Sequence, residues 1–242
     1  MSSAEISRHA AISGLCAAAL AQTDDNRRFY LAQRAEYWGV PNGAPYGVPV
    51  TFAATLQSFD KRGARSEIVV QAADEPLATL VVDYTILTEY AFSRLFRARY
   101  RSTTPQPAMN IDLPGRAERL GERAAFDVTA LPETVCAGHF ADYPALPVAL
   151  LMGQLGTAAW RIMDTDASAP DHSKPNERKP NEVRWRGVRA SVNATDLCWA
   201  GERVRFEAER IALHPERQST FNCQVSAGDR LVCTAEFRLE AH

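Results

Sequence analysis

At 242 residues and 26.7 kDa the chain can form one large domain or two small ones, and 46% apolar against 23% charged residues is an ordinary globular balance. A formal net charge of −2 and a pI near 6.2 leave no basic field for nucleic acid or an anionic membrane surface. No stretch approaches the roughly 20 apolar residues of a membrane span, and the start, Met1 to Glu5, lacks the basic opening of a secretion signal.

The expected elements follow in order. Glu5 to Gln22 is Ala-rich, with Ile6, Ile12, Leu15, Ala19 and Leu20 on one side, and reads as a helix suited to close packing on a sheet. Strand patterns come next at Phe29–Trp38, Val48–Phe59, Glu67–Ala72 and Leu77–Leu87. The turns between them carry Pro41 to Gly43, Lys61 to Gly63 and Asp74 to Pro76. A second helix is predicted over Glu89–Arg101, then a Pro-rich polar stretch, residues 102–107, that reads as the boundary between units 1–104 and 105–242. Beyond it lie a strand near Ala125–Ala130, an apolar helix over Pro147–Met163, a polar tract from Asp164 to Pro180, and strand-like sequence from Glu182 to Leu239. The tract around His172 is too irregular for a metal site.

An internal repeat organises this order. At an offset of 153, Ser66–Ile86 lies on Ser219–Leu239 without a gap, and upstream Val48–Phe59 matches Glu202–Leu213. The Ala-rich opening helix then corresponds to Pro147–Met163. Each half implies one apolar helix and about four antiparallel strands. A helix so apolar must be wrapped, and a curved sheet around it does this economically. Two such units can join their sheets edge to edge, removing exposed strand edges.

Chemistry concentrates in Gly138, His139, Phe140, Ala141, Asp142, Tyr143, Pro144, Ala145, Leu146 and Pro147, which run into Val148 to Met152. A His just before a Pro-started helix sets an imidazole beside the unpaired N–H groups of a helix N-terminus. Such donors favour the charge that builds on a carbonyl oxygen, and His is the side chain suited to proton transfer near neutral pH.

This segment resembles that of the hotdog-fold 3-hydroxyacyl-thioester dehydratases, which reads Gly-His-Phe-Pro-Gly-x-Pro-x-x-Pro-Gly-Val-Leu. His139, Phe140, Pro144 and Pro147 hold the family spacing, Leu150 holds the matching helix position, and Asn181 to Arg186 resembles the strand after the family's central helix. The resemblance implies an α+β double hotdog, with antiparallel sheets each wrapped around a long central helix. It makes His139 the base and the Val148 backbone N–H a carbonyl donor, and puts Phe140, Tyr143, Pro147 and Gln154 against substrate. The sequence departs from the family at Ala141, Asp142 and Val148, and above all at the acid position, fourteen residues after the His, which is Gly153. In the family two units share each site, so an acid is sought on the opening helix. The equivalent turn there is Ala11 to Gly14, with His9, Ser13 and Cys16 near it, and His9 joins the candidates for catalysis.

The implied activity is dehydration of a 3-hydroxyacyl group carried as a thioester on acyl carrier protein or coenzyme A, in fatty-acid or polyketide-type biosynthesis. A hotdog thioesterase and a non-catalytic acyl-binding subunit stand as alternatives, the latter favoured by Gly153. No cofactor or metal is called for. The five scattered cysteines (Cys16, Cys136, Cys198, Cys223, Cys233) form no Cys-x-x-Cys pair, so a reduced, cytoplasmic protein is expected, Cys16 and Cys136 being small buried residues. Arg184, Arg186 and Arg189 read as a solvated strand face, with a phosphopantetheine phosphate as their sharper use. A homodimer of pseudo-dimers is left open.

Overall fold

Small residues decide how the first helix meets the sheet. A computed structural model describes residues 3–40, 47–102, 106, 113, 115–163, 185–214 and 218–241. Helix α1 (Ser3–Leu20) buries Ile6, Ala10, Gly14 and Ala18, one per turn. At Gly14 the approach is so close that a β-carbon would stand 2.6 Å from the Tyr84 hydroxyl. Two sheet side chains satisfy the helix there: Ser66 Oγ donates to the Gly14 carbonyl at 3.0 Å, and the Tyr84 hydroxyl to the Ala11 carbonyl at 2.6 Å.

Four strands follow, β1 (Arg28–Gly39), β2 (Val50–Phe59), β3 (Gly63–Ala72) and β4 (Glu75–Thr88), with the two-residue burial period clearest in β3 and β4. The second helix is shorter than its sequence pattern. Helix α2 (Glu89–Leu95) is capped by Thr88 Oγ1, which accepts from the Ala91 amide, and a 3₁₀ turn at Arg97–Arg99 replaces its continuation. Phe96 leaves the helix where its ring packs 4.9 Å from Trp199. Then come β5 (Arg116–Leu120), β6 (Arg123–Val128), α3 (Glu133–Cys136), α4 (Val148–Met163), β7 (Trp185–Ala194), β8 (Val204–His214), β9 (Gln218–Ala227) and β10 (Arg230–Ala241). The pattern near Ala125–Ala130 thus marks β6, which begins two residues earlier, whereas β5 and α3 carry too few apolar residues to be read. The turn at Pro41 to Gly43, most of residues 102–107 and the tract Asp164 to Pro180 lie outside the described residues. No described helix is long and apolar enough to cross a membrane.

All ten strands form one antiparallel sheet in the order β2-β3-β4-β1-β7-β10-β9-β8-β6-β5. The two halves therefore repeat a helix followed by four strands in the same neighbour order, joined at β1 and β7, with the β5–β6 hairpin added to the second. The bulges repeat too. Gln33 and Val188, Gln57 and Ile211, and Leu77 and Val232 are the extra residues at three equivalent places. These matches set the offset at 154 for β2 onto β8, as the upstream alignment expects, but at 155 for β3 and β4 onto β9 and β10. The gapless offset of 153 is corrected by two residues. A slip of two keeps every side chain on its face, so the apolar alternation is blind to it.

At the junction Glu36 of β1 stands opposite Ser191 of β7, its own counterpart at an offset of 155. A pseudo-twofold axis pierces the sheet there. One apolar core, with residues from both halves, fills the side of the sheet that carries α1 and α4.

Candidate active site

On that axis, beneath the sheet, lies an apolar cavity of about 460 Å³. Helix α4 buries Leu151, Leu155, Ala158, Ala159 and Ile162 in the core and turns Val148, Ala149, Met152, Gly153, Gly156, Thr157 and Trp160 to the cavity. Ser7 and Ala11 of α1 face them, and Ala35, Tyr37, Ala190 and Val192 form the roof across the junction. A larger recess of about 1040 Å³ lies on the far face of the sheet. Its charged side chains are in good part already paired with each other, as Arg65 with Asp83 and Arg123 with Glu209. The apolar chamber is the one with the chemistry of a ligand site, and its size falls in the usual range of about 300–1,000 Å³.

Polar groups converge at one place in it, the start of α4. The amides of Leu150 and Leu151 both donate to the Pro147 carbonyl, at 2.9 and 3.2 Å. The amides of Val148 and Ala149 make no hydrogen bond among the described residues, and both residues line the cavity. Two free donors at the positive end of a sixteen-residue helix suit a carbonyl oxygen gaining negative charge.

The motif segment reaches this point along an aromatic anchor. Phe140 and Tyr143 are buried with Phe29, Phe92 and Trp199. Phe92 stacks on Phe29 at 3.8 Å and meets Phe140 and Tyr143 at 5.1 Å each. The backbone is tied down by the Arg101 amide donating to the Asp142 carbonyl at 2.8 Å and the Leu146 amide donating to the Cys198 carbonyl at 2.8 Å. Gly138 at φ +82° and Asp142 at φ +63° make the turns this path needs. Phe140 and Tyr143, expected against substrate, thus belong to the anchor and do not line the cavity. Pro147 and Gln154 are half-buried and do not line it either.

His139 is exposed, with its ring 4.1 Å from that of Phe140 and outside the lining of the cavity. Protein crowding, and then the charge of Arg8, pull its pKa down from 6.5 to about 4. The imidazole is therefore neutral at pH 7. Arg8 is the informative neighbour. It follows Ser7, which lines the cavity, and its charge reaches the His139 ring. Aligning α1 and α4 by their first residues superposes the buried positions 6, 10 and 14 on 151, 155 and 159, and sets Arg8 opposite Gly153 in the repeat. The equivalent turn is therefore at Arg8, not at Ala11 to Gly14, and it carries a guanidinium where a carboxylate is required. His9 turns to β2, its ring 5.7 Å from Phe52, and does not line the cavity.

No cysteine supplies a nucleophile here. Burial pushes Cys136 and Cys233 up to about 12 and raises Cys198 and Cys223 as well. Cys16 is exposed, contrary to expectation. Of the arginines, Arg186 pairs with Glu240 at 3.2 Å, Arg189 lines the cavity, and Arg184 lies outside the described residues. Sequence reasoning missed Ser7, Arg8 and Gly156, and reached Ala11 only as part of the turn Ala11 to Gly14. An Ala-rich helix gives the same signal whether it lines a core or a cavity.

Neither a family model nor a curated protein matches the chain by sequence. Solved structures do match. A tesB protein of Mycobacterium avium subsp. paratuberculosis covers 100% of this chain and 87% of its own at 11% identity and a TM-score of 0.63. The 12:0-ACP thioesterase of Umbellularia californica covers 100% and 91% at 9% identity and a TM-score of 0.63. A MaoC-like dehydratase covers 96% and 82% at 13% identity and a TM-score of 0.56. These are hotdog-fold proteins, and likeness at such identities establishes that fold for this chain.

Proposed function

We propose that this chain is an acyl-thioester-processing enzyme built as a double hotdog, units 1–104 and 105–242, and that it hydrolyses its substrate. The observation that carries the reading is the apolar chamber ending at the two free amides of Val148 and Ala149. An acyl chain fills the chamber and the thioester carbonyl rests on those amides. The neutral imidazole of His139 takes a proton from an attacking water, and the Arg8 guanidinium beside it adds positive charge where the tetrahedral oxyanion forms.

Hydrolysis fits these groups better than dehydration. Expelling a β-hydroxyl needs a proton donor, and the family acid position is Gly153, with Arg8 opposite. A thiolate is a far better leaving group, the parent thiol having a pKa of about 8.5, and leaves with little acid assistance. The 12:0-ACP thioesterase among the similar structures supports this preference, and the MaoC-like dehydratase keeps the alternative in the test.

Saturated and 3-hydroxyacyl thioesters of graded chain length, on coenzyme A and on acyl carrier protein, are incubated with the wild type and H139A. Thiol release is followed spectrophotometrically and products by mass. The expected result is free acid and free thiol, with a loss of roughly 10²–10⁴-fold in kcat/KM on removing the base. Loss of water from the 3-hydroxyacyl substrate with the thioester intact replaces hydrolysis by dehydration. Binding without turnover at every chain length makes the protein an acyl-binding subunit.

A further inference from the structure

The pseudo-twofold repeat supplies an internal control for every surface residue, and one row on the far face of the sheet breaks it. In the first half Arg34 of β1 stands opposite Asp83 of β4, so the two positions carry opposite charges, and Asp83 is held by Arg65 at 2.8 Å. The same two positions in the second half are Arg189 of β7 and Arg238 of β10, like charges side by side on adjacent strands. Such a pair is unfavourable unless an anion resolves it. The row continues across the junction to Trp38 of β1, directly opposite Arg189, whereas the counterpart beside Arg34 is Asn193. Cross-strand partners share a face, so Trp38, Arg189 and Arg238 project together.

None of the three is spoken for. Neither arginine makes a side-chain hydrogen bond or ion pair among the described residues, and the Nε of Arg238 is buried with no partner. The same-face carboxylates one row away, Glu36 and Glu236, form no ion pair with either arginine, and on the other side Glu240 is already taken by Arg186. Trp38 keeps 38% of its surface exposed.

We propose that Trp38, Arg189 and Arg238 form a nucleotide-phosphate site, the two guanidiniums holding a phosphate group and the indole stacking a purine base. Paired guanidiniums match phosphate geometry, and an exposed indole beside them suits a base. Only the naming of the natural ligand rests on the thioester reading: the site then selects coenzyme A thioesters over those of a carrier protein, whose phosphopantetheine arm has no base.

The test reads binding without turnover. Adenosine 3′,5′-bisphosphate, inorganic phosphate and adenosine are titrated into the full-length protein by calorimetry at two salt concentrations. The bisphosphate is expected to bind saturably and more weakly at high salt, inorganic phosphate at least tenfold more weakly, and adenosine not measurably. R238D, which sets an aspartate opposite Arg189 as Asp83 stands opposite Arg34, is expected to weaken the bisphosphate more than tenfold while the unfolding midpoint holds or rises. W38A is expected to weaken the bisphosphate and leave phosphate unchanged, and R189Q serves as the second arginine variant should R238D fold poorly. No saturable binding by the wild type, or unchanged binding by the arginine variants, overturns the site. Equal binding of phosphate and bisphosphate overturns the base-stacking role. An absence of thioester hydrolysis leaves all of these results interpretable.

Discussion

His139 and Arg8 come from different halves of the chain, and the charge of the second reaches the ring of the first. Desolvation, and then that charge, lower the histidine's pKa from 6.5 to about 4 in the folded protein. Between those values the unfolded chain takes up a proton that the folded one refuses. Folded stability therefore declines as pH falls from 6.5 toward 4, levels off below that, and gains nothing from this group above 6.5. The same shift keeps the base neutral, so the acid limb of kcat/KM is expected well below 6.5. Replacing Arg8 by Gln removes the smaller cause and moves the limb upward, short of 6.5 because the crowding remains. Paired pH–rate profiles check this, and a wild-type limb at 6.5 that Arg8→Gln leaves in place removes Arg8 from the mechanism and the depressed pKa from its base.

At the scale of elements, α4 has two faces of different purpose, and one glycine shows the division. Gly156 lines the chamber, and a β-carbon built on it meets nothing within 4 Å. Replacing a helical glycine by leucine gains most of the about 0.8–1 kcal/mol that separates glycine from alanine in helix propensity, while the new side chain projects into the acyl chamber. Gly156→Leu is expected to unfold at the same or a higher temperature and to lose at least tenfold in kcat/KM on the longest acyl chains, with short chains spared. A uniform loss at all lengths would place the acyl chain elsewhere. The apolar stripe of α4 and the alternation of β3 and β4 were legible in the sequence, because burial imposes a period on residue type. Its two faces were not, since core and chamber both ask for apolar or small residues. The aromatic anchor was hidden for another reason: Phe29 and Phe92 meet Phe140 and Tyr143 only through long-range packing.

The whole molecule raises the question of how independent two repeated halves can be. The repeat was visible in the sequence as two amphipathic sets of strands. Its true register was not, because the tight turns at Ala73-Asp74 and Gly228-Asp229 and the three repeated bulges set it, and none of these leaves an apolar signature. The halves then share more than ancestry. The β1–β7 ladder makes one sheet of two, a single buried cluster draws Ile68 and Leu80 from one half and Phe206 and Phe221 from the other, and the chamber has walls from both. The contacts around Trp199 add a second tie, since Arg99 of the first half reaches Glu202 at 2.6 Å and its guanidinium stacks over the Trp199 ring at 5.6 Å. Separating the halves would open the core cluster to water, an exposure far larger than marginal stability tolerates. Unfolding is therefore expected as one cooperative transition, with far-ultraviolet circular dichroism and tryptophan fluorescence giving the same midpoint in urea. Trp38 and Trp199 report from different halves, so two resolved midpoints would mean that each half folds on its own and that the junction is a contact between finished domains.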